Sequence, residues 1–158
     1  METRPTIRLK PKVDPRSLRR GFPWVYADQL VTDRRTKALA PGTLASLEDS
    51  NRTPLGLFAV TPNSKIIARR IDRDPTVEVK AAWFEAKIAN AQAHRALLYD
   101  TPHYRLVHAE GDGLPGVVID RFGDAAVIQP NAAWADARSG LLLRAVQEVT
   151  GVSTVILN

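Results

Sequence analysis

The stretch TLASLEDSNRTPLGLFAV, residues 43–60, decides the fold of the first half of this chain. Residues 43–47 alternate polar and apolar side chains, which is the pattern of a half-buried strand. Residues 48–52 are turn formers, and residues 55–60 are an apolar return segment. The stretch therefore predicts a β-hairpin.

Short segments between prolines predict further strands on both sides of this hairpin. The apolar runs at residues 24–26 and 65–71 have strand length, and several short strands at this spacing indicate a small β-barrel or sandwich. One short helix is expected over residues 15–21, with Asp14 as N-cap, Pro15 at the first helical position and Gly21 just past the end.

The pattern changes near residue 80. Residues 80–99 contain neither Gly nor Pro, and four apolar side chains fall on one helical face: Phe84, Ile88, Ala91 and Leu98. This spacing predicts an amphipathic helix of about five turns. Arg95 lies on the same face, so we expect its guanidinium to reach a polar neighbour or the solvent.

The last third of the chain predicts an α+β segment of strand, strand, helix and strand. Residues 117–120 and 125–129 form a hairpin, and residues 133–150 form a helix with Asn131 as N-cap and Gly151 as its stop. Residues 152–157 are a β-branched run with no polar tail. We interpret this ending as that of a piece of a longer protein, the alternative being a strand tied into a sheet at a natural terminus.

Composition excludes several classes of function. The chain has 158 residues, 44% hydrophobic and 25% charged, which is typical of a globular protein. It has no cysteine, which excludes disulfide scaffolds, thiolate zinc sites, iron–sulfur clusters and cysteine nucleophiles in this chain. No apolar run approaches the roughly 18 residues of a membrane span, and no secretory signal is visible, so we expect a cytoplasmic protein without membrane partners.

Positive charge is concentrated in the first half. Residues 1–80 hold 16 Lys or Arg against 9 Asp or Glu, whereas the remaining residues hold 6 against 8. Such asymmetry is typical of a polyanion-binding module joined to another segment, the alternative being a basic surface without a partner.

Two basic groups are the candidate RNA-binding residues. Six cations occur within residues 8–20, and a second group occurs within residues 65–70. In a helix, the i, i+3, i+4 spacing of residues 16, 19 and 20 would present three guanidiniums to a phosphate backbone. The candidate set is Lys10, Lys12, Arg16, Arg19, Arg20, Lys65, Arg69 and Arg70.

Two aromatic residues follow the first basic group directly. Trp24 and Tyr26 could stack on an unpaired base if they were exposed. For Trp24 we favour burial in the barrel.

Other chemistry is weakly indicated. The three histidines, His94, His103 and His108, match no zinc spacing. Glu110 and Asp112 could form an acid–base pair or a cation site, but three glycines around them favour a structural loop. No nucleophile or nucleotide-binding motif is present, so we expect no catalytic, cofactor or metal residue in this chain.

Four segments resemble a known family. RSLRRGFPWVY (16–26), PGTLASLED (41–49) and NSKIIAR (63–69) resemble the PUA domain, an RNA-binding barrel, although Phe22 stands where the family usually has histidine. RLVHAEGDGLPGVVIDRFG (105–123) is similar to the segment that follows the PUA domain in large-subunit rRNA cytosine-C5 methyltransferases.

The resemblance implies a mixed α and β fold in three parts. A PUA-like small β-barrel would span residues 1–78, a connecting helix 79–101, and an incomplete α+β segment 102–158 that leads to a class I methyltransferase domain beyond this chain. The catalytic cysteines and the glycine-rich S-adenosylmethionine loop of that domain are missing here, so no catalytic or cofactor residue is carried over.

The implied function is RNA recognition for a methyltransferase that uses S-adenosylmethionine, with large-subunit rRNA as partner. Three alternatives stay open. The chain could be a stand-alone RNA-binding adaptor, a hydrolase or metal enzyme built on Glu110 and Asp112, or a protein whose barrel forms a homodimer.

Overall fold

The first half of the chain forms a curled five-stranded sheet in the computed structural model, which describes residues 3–158. The strand order is β1-β3-β4-β5-β2; β1 pairs with β3 in parallel, and the other neighbours are antiparallel. The strands are β1 (Thr6–Arg8), β2 (Trp24–Tyr26), β3 (Thr43–Glu48), β4 (Pro54–Val60) and β5 (Ile66–Asp72).

A bridge between the two edges of this sheet gives it the shape of a half-barrel. Leu9, just past β1, pairs with Leu30, a few residues past β2. Both side chains are fully buried, and they join a core supplied by all five strands and by Leu18. The predicted β3–β4 hairpin is confirmed, with Leu44 opposite Ala59 in the antiparallel register.

Short helical turns connect the strands. They are α1 (Arg16–Arg19), a 3₁₀ turn (Ala27–Gln29) and α2 (Arg34–Lys37). The predicted N-cap was wrong, because Pro15 occupies the N-cap position of α1 and the helix begins at Arg16. The Asp14 carboxylate still accepts a hydrogen bond from the Arg16 backbone N–H at 3.0 Å.

The second half of the chain forms a four-stranded sheet with helices. The order is β6-β7-β8-β9, in which β9 runs parallel to β8 and the other neighbours are antiparallel. The elements are α3 (Ala81–Leu98), β6 (His103–His108), a 3₁₀ turn (Ala109–Asp112), β7 (Val117–Phe122), β8 (Ala125–Pro130), α4 (Ala133–Asp136), α5 (Ser139–Thr150) and β9 (Thr154–Leu157).

The chain divides into two compact units on either side of the Val77–Glu78 bond, and α3 belongs to the second of them. In that unit, Phe84 and Trp134 stack with their ring centroids 6.1 Å apart, and Trp83 meets Trp134 edge-on at the same distance. The Trp134 indole N–H donates to the Pro115 carbonyl at 2.9 Å. The mixed α and β fold class, with one sheet in each part, is therefore confirmed.

Three local predictions in the second half were wrong. Leu98 was expected on the apolar face of α3, but it is 70% exposed, because the buried residues of this face end at Ala91 and Arg95 follows them. The predicted helix over residues 133–150 is broken at Arg138, directly before Ser139 and Gly140, which are weak helix formers. Asn131 does not cap it, because residue Ala132 occupies the N-cap position. A strand at β6, between the two histidines, agrees with the sequence, so three strands precede the helices where the order strand, strand, helix, strand has two.

Candidate nucleic-acid interface

Guanidinium groups from two elements lie close together at the end of α1. Arg19 and Arg20 come from α1 and its C-cap, and Arg70 approaches from β5. The Arg70 guanidinium donates to the Leu18 carbonyl and lies 5.2 Å from the centroid of the Phe58 ring. Burial, and then repulsion from a neighbouring arginine, lowers the pKa of Arg70 below its usual value.

That neighbour is Arg73, which the sequence reasoning missed. A Cβ atom built on Gly21 would lie 2.8 Å from Nη2 of Arg73, so this guanidinium rests against bare backbone just past α1. Gly21 also has φ +111°, a conformation that favours glycine. Arg73 follows Arg69 and Arg70 closely in sequence, and this proximity was the available signal.

Two of the predicted arginines are held by carboxylates. Arg16 pairs with Asp14 at 2.7 Å on an exposed surface, where an ion pair contributes little stability. Arg19 pairs at 2.6 Å with Asp49, whose side chain is only 5% exposed. Arg19 therefore has a structural contact in addition to its half-exposed surface.

Asp49 organises the turn between β3 and β4. Its carboxylate accepts the backbone N–H groups of Asn51 and Thr53, each at 2.9 Å. The Thr53 hydrogen bond is the main reason why the pKa of Asp49 is lowered; the Asn51 N–H and Arg19 act in the same direction, against burial.

The lysines lie around the 3₁₀ turn of the first unit. The Lys10 N–H donates to the Gln29 carbonyl at 2.9 Å, and the Ala27 N–H donates to the Lys65 carbonyl at 2.8 Å. These two backbone contacts place Lys10 and Lys65 on either side of the turn. Within residues 3–158, four predicted cations are exposed and make no ion pair: Lys10, Lys12, Arg20 and Lys65.

β2 runs from the end of α1 to this turn and carries the aromatic residues. Val25 points into the core and is fully buried, so Trp24 and Tyr26 lie on the opposite side of the strand. Trp24 is half-buried, with the Arg69 guanidinium 5.6 Å from its ring centroid and Phe22 edge-on at 6.2 Å. It is therefore neither the core residue that we favoured nor a fully free stacking platform.

We use the name basic face for the predicted cations together with Arg73. It comprises Lys10, Lys12, Arg16, Arg19, Arg20, Lys65, Arg69, Arg70 and Arg73. Arg19, Arg20, Arg70 and Arg73 lie near the end of α1, Arg69 lies over Trp24 of β2, and Lys10 and Lys65 lie on either side of the 3₁₀ turn. Such a distribution suits an extended polyanion better than a single small anion.

In the second unit, Glu110 and Asp112 make hydrogen bonds that stabilise the loop between β6 and β7. Asp112 receives two hydrogen bonds from Arg95, at 2.7 and 3.2 Å, and one from the His108 N–H at 2.7 Å. Glu110 accepts the Gly116 N–H at 2.9 Å. Arg95 thus has the polar partner that we expected, and both carboxylates have structural contacts.

Neither a metal centre nor a membrane span is visible in the part of the chain that the structure describes. Residues 3–158 bring together no three His, Asp or Glu side chains that could hold a metal ion. None of their helices is both long and apolar enough to cross a membrane.

Comparison with protein families shows which family the first unit resembles. Residues 7–73 match the family described as PUA-like domain. The first unit is a PUA-like domain. All nine residues of the basic face lie within residues 7–73. The segments that resembled a PUA domain contain five of them: Arg16, Arg19, Arg20, Lys65 and Arg69.

Curated relatives extend the resemblance through the PUA-like domain into the second unit. The chain is 36% identical over 135 residues to "Ribosomal RNA large subunit methyltransferase I" of Cronobacter sakazakii, covering 84% of this chain and 34% of the relative. It is 33% identical over 137 residues to the protein of the same name from Klebsiella pneumoniae. The predicted resemblance to PUA-containing large-subunit rRNA methyltransferases is confirmed, and the chain spans about a third of these relatives' length.

Solved structures share the fold of both units. "A putative sam-dependent methyltransferase from Streptococcus mutans" superposes with a TM-score of 0.80 at 15% identity, covering 97% of this chain and 40% of that one. A second structure, described as "a putative methyltransferase complexed with SAH", gives a TM-score of 0.77 at 16% identity and covers 99% of this chain and 40% of that one. At this identity the likeness establishes the fold alone.

Proposed function

We propose that this chain is the RNA-recognition portion of an S-adenosylmethionine-dependent large-subunit rRNA (cytosine-C5) methyltransferase. The observation that carries the proposal is the basic face of the PUA-like domain, where cations of α1 and β5 meet near the end of α1 and two lysines flank the 3₁₀ turn after β2. The names of the relatives support rRNA as the partner. The cytosine-C5 reaction rests on the similarity of residues 105–123 to that group of enzymes.

The exposed cations of the basic face bind the RNA backbone in this proposal. Among the described residues, 3–158, no carboxylate pairs with Lys10, Lys12, Arg20 or Lys65 and competes with a phosphate. Arg19 and Arg70 contribute less to affinity, because each is already bound to a protein acceptor. Phosphate contacts fix the position of the RNA and carry no sequence information themselves.

Methyl transfer itself needs groups that the residues of this chain do not supply. S-adenosylmethionine provides the methyl group in such enzymes, and the glycine-rich loop that would hold it has no counterpart here. Attack on C6 of cytosine needs a thiolate, and the chain has no cysteine. The residues that perform the reaction would belong to the other two thirds of the relatives' length, and the target base would leave its stack to reach them.

The cytoplasm is the compartment that this proposal implies, because it places the chain in rRNA processing. Homodimerisation is a separate proposal, and sedimentation of the purified chain would test it.

Charge reversal at an exposed cation tests the proposal. We expect Arg20→Glu, and likewise Lys12→Glu, to weaken RNA binding about tenfold in a filter or anisotropy assay, since each replaces a phosphate contact by repulsion. Lys37→Glu is the matched control, because Lys37 is an exposed cation of α2, outside the basic face.

The melting temperatures of the variants show whether they remain folded. Equally weakened binding in all three variants would mean that only overall charge matters. Unchanged binding by folded Arg20→Glu and Lys12→Glu would place the RNA elsewhere.

A further inference from the structure

A shallow pocket opens beside the 3₁₀ turn of the first unit. It has a volume of about 460 Å³ and is lined by Tyr26, Ala27, Asp28, Gln29 and Lys65. This volume is within the range of small-molecule sites and is large enough for one nucleobase with its sugar. Lys10 and Lys65 flank the turn through backbone contacts, so the pocket lies inside the lysine part of the basic face.

The pocket combines a ring, a cation and an acceptor. Tyr26 is 39% exposed and stands on the side of β2 that faces away from the core. Its backbone N–H donates to Oε1 of Gln29 at 2.9 Å, which fixes the start of the turn. Lys65 and Asp28 are both exposed at the rim. An aromatic ring can stack on any unpaired base, and an ammonium can bind its phosphate.

Asp28 is the unexpected member of this set. Within residues 3–158 its carboxylate makes no ion pair, although Lys65 lines the same pocket. A carboxylate would repel an RNA backbone if it faced the phosphates. It becomes favourable where it faces the edge of a base, because an ionised carboxylate only accepts hydrogen bonds and base amino and imino groups donate them.

We propose that this pocket binds one unpaired guanine of the RNA strand. Tyr26 stacks on the base, Lys65 contacts its phosphate, and Asp28 accepts the N1–H and the N2 amino group of its Watson–Crick edge. Guanine offers two adjacent donors on that edge, adenine and cytosine offer one amino group each, and uracil places its single N–H between two carbonyls. The inference rests on the proposed function, because the basic face must first hold the strand.

Binding of two single-stranded RNAs to the full chain tests this inference. One strand contains only uridine, and the other carries a single central guanosine. We expect the guanosine strand to bind at least about tenfold more tightly, in line with the contribution of one stacked and hydrogen-bonded base. Asp28→Asn should remove this preference, so that the two strands bind with the same affinity. Tyr26→Ala should weaken the guanosine strand about tenfold, whereas Tyr26→Phe, which keeps the ring, should not.

Arg20→Glu separates failure of the pocket from failure of the basic face. We expect it to weaken both strands by the same factor, since it removes a phosphate contact only. If the wild-type chain binds both strands equally, or if Asp28→Asn retains the preference, the guanine pocket is wrong while RNA binding stands. If the wild-type chain binds neither strand, the proposed function fails and the pocket proposal fails with it. Melting curves of the Tyr26 and Asp28 variants confirm that each is folded.

Discussion

At the scale of single residues, Asp49 links the fold of the PUA-like domain to its basic face. The same carboxylate closes the β3–β4 turn and pairs with Arg19. Substitution of Arg19 would leave a buried carboxylate without its cation, and such a change is destabilising. For this reason Arg20 and Lys12 are better probes of RNA binding than Arg19.

Asp49 should make the stability of the first unit depend on pH. Its pKa is lowered in the folded protein, so its contribution is present above the unfolded value of about 3.9 and is lost as the pH falls through the folded pKa. We expect Asp49→Asn to be less stable than wild type at neutral pH and the difference to shrink in acid. Urea unfolding at a series of pH values measures this.

Asp28→Asn is the control for that experiment, because Asp28 is an exposed carboxylate. A constant gap between wild type and Asp49→Asn from pH 6 down to about pH 2 would contradict the role given to Asp49.

At the scale of elements, β4 approaches the backbone of β5 closely at Gly56. The residue has φ +136°, and a Cβ built on it would lie 2.6 Å from the Asp72 carbonyl oxygen. Neither backbone can move aside without breaking the pairing of Leu57 with Asp72. We expect Gly56→Ala to destabilise the chain by about 2 kcal/mol or more, from strain and overlap together. Thermal unfolding measures the destabilisation.

Gly111→Ala is the matched control for Gly56→Ala. A Cβ atom at Gly111 would meet nothing within 4 Å, and the φ angle of Gly111 is not positive. The stability of Gly111→Ala should therefore be close to that of the wild type. Equal stability of Gly56→Ala and wild type would show that the two strands can separate at this point.

Strands that pair with a neighbour in sequence could be predicted, whereas strands that pair with a distant segment could not. The β3–β4 hairpin followed from alternation and a turn in one stretch of sequence. By contrast, β1 was missed because its three residues gain their strand character only by pairing with β3, at Thr6 opposite Ser46. The break between α4 and α5 was missed because helical periodicity continues across it.

In the candidate site, too, residues grouped in sequence could be predicted and residues brought together only by the fold could not. The eight cations were found because they are grouped in sequence, and their placement in one unit follows from that grouping. Arg73 and Asp28 were missed, since Arg73 reaches Gly21 from another element and Asp28 matters only through the pocket that it lines. Whether the eight bind RNA stays a prediction.

At the scale of the whole molecule, charge asymmetry predicts a strong effect of salt on RNA binding. If the basic face contacts about six phosphates of a single strand, log K should fall with log salt at a slope of roughly −4 to −5. Arg20→Glu should reduce the magnitude of this slope by about 0.7 for each phosphate that the variant no longer neutralises. Anisotropy titrations at several salt concentrations give the slope directly. A slope near zero would contradict phosphate binding by this face.

The late pairing of β2 has a consequence for synthesis on the ribosome. Trp24 pairs with Arg69, about 45 positions further along the chain, and the strand has no earlier partner in the sheet. At a translation rate of about 5–20 residues per second, β2 stays unpaired for roughly 2–9 s until β5 has been synthesised. During that interval the nascent chain exposes the aromatic side chains of Phe22, Trp24 and Tyr26 next to the basic residues 16–20. Such a segment can bind a polyanion or a chaperone before the domain closes. The order of synthesis therefore leaves β2, the strand at which we propose that RNA binds, unpaired during this interval.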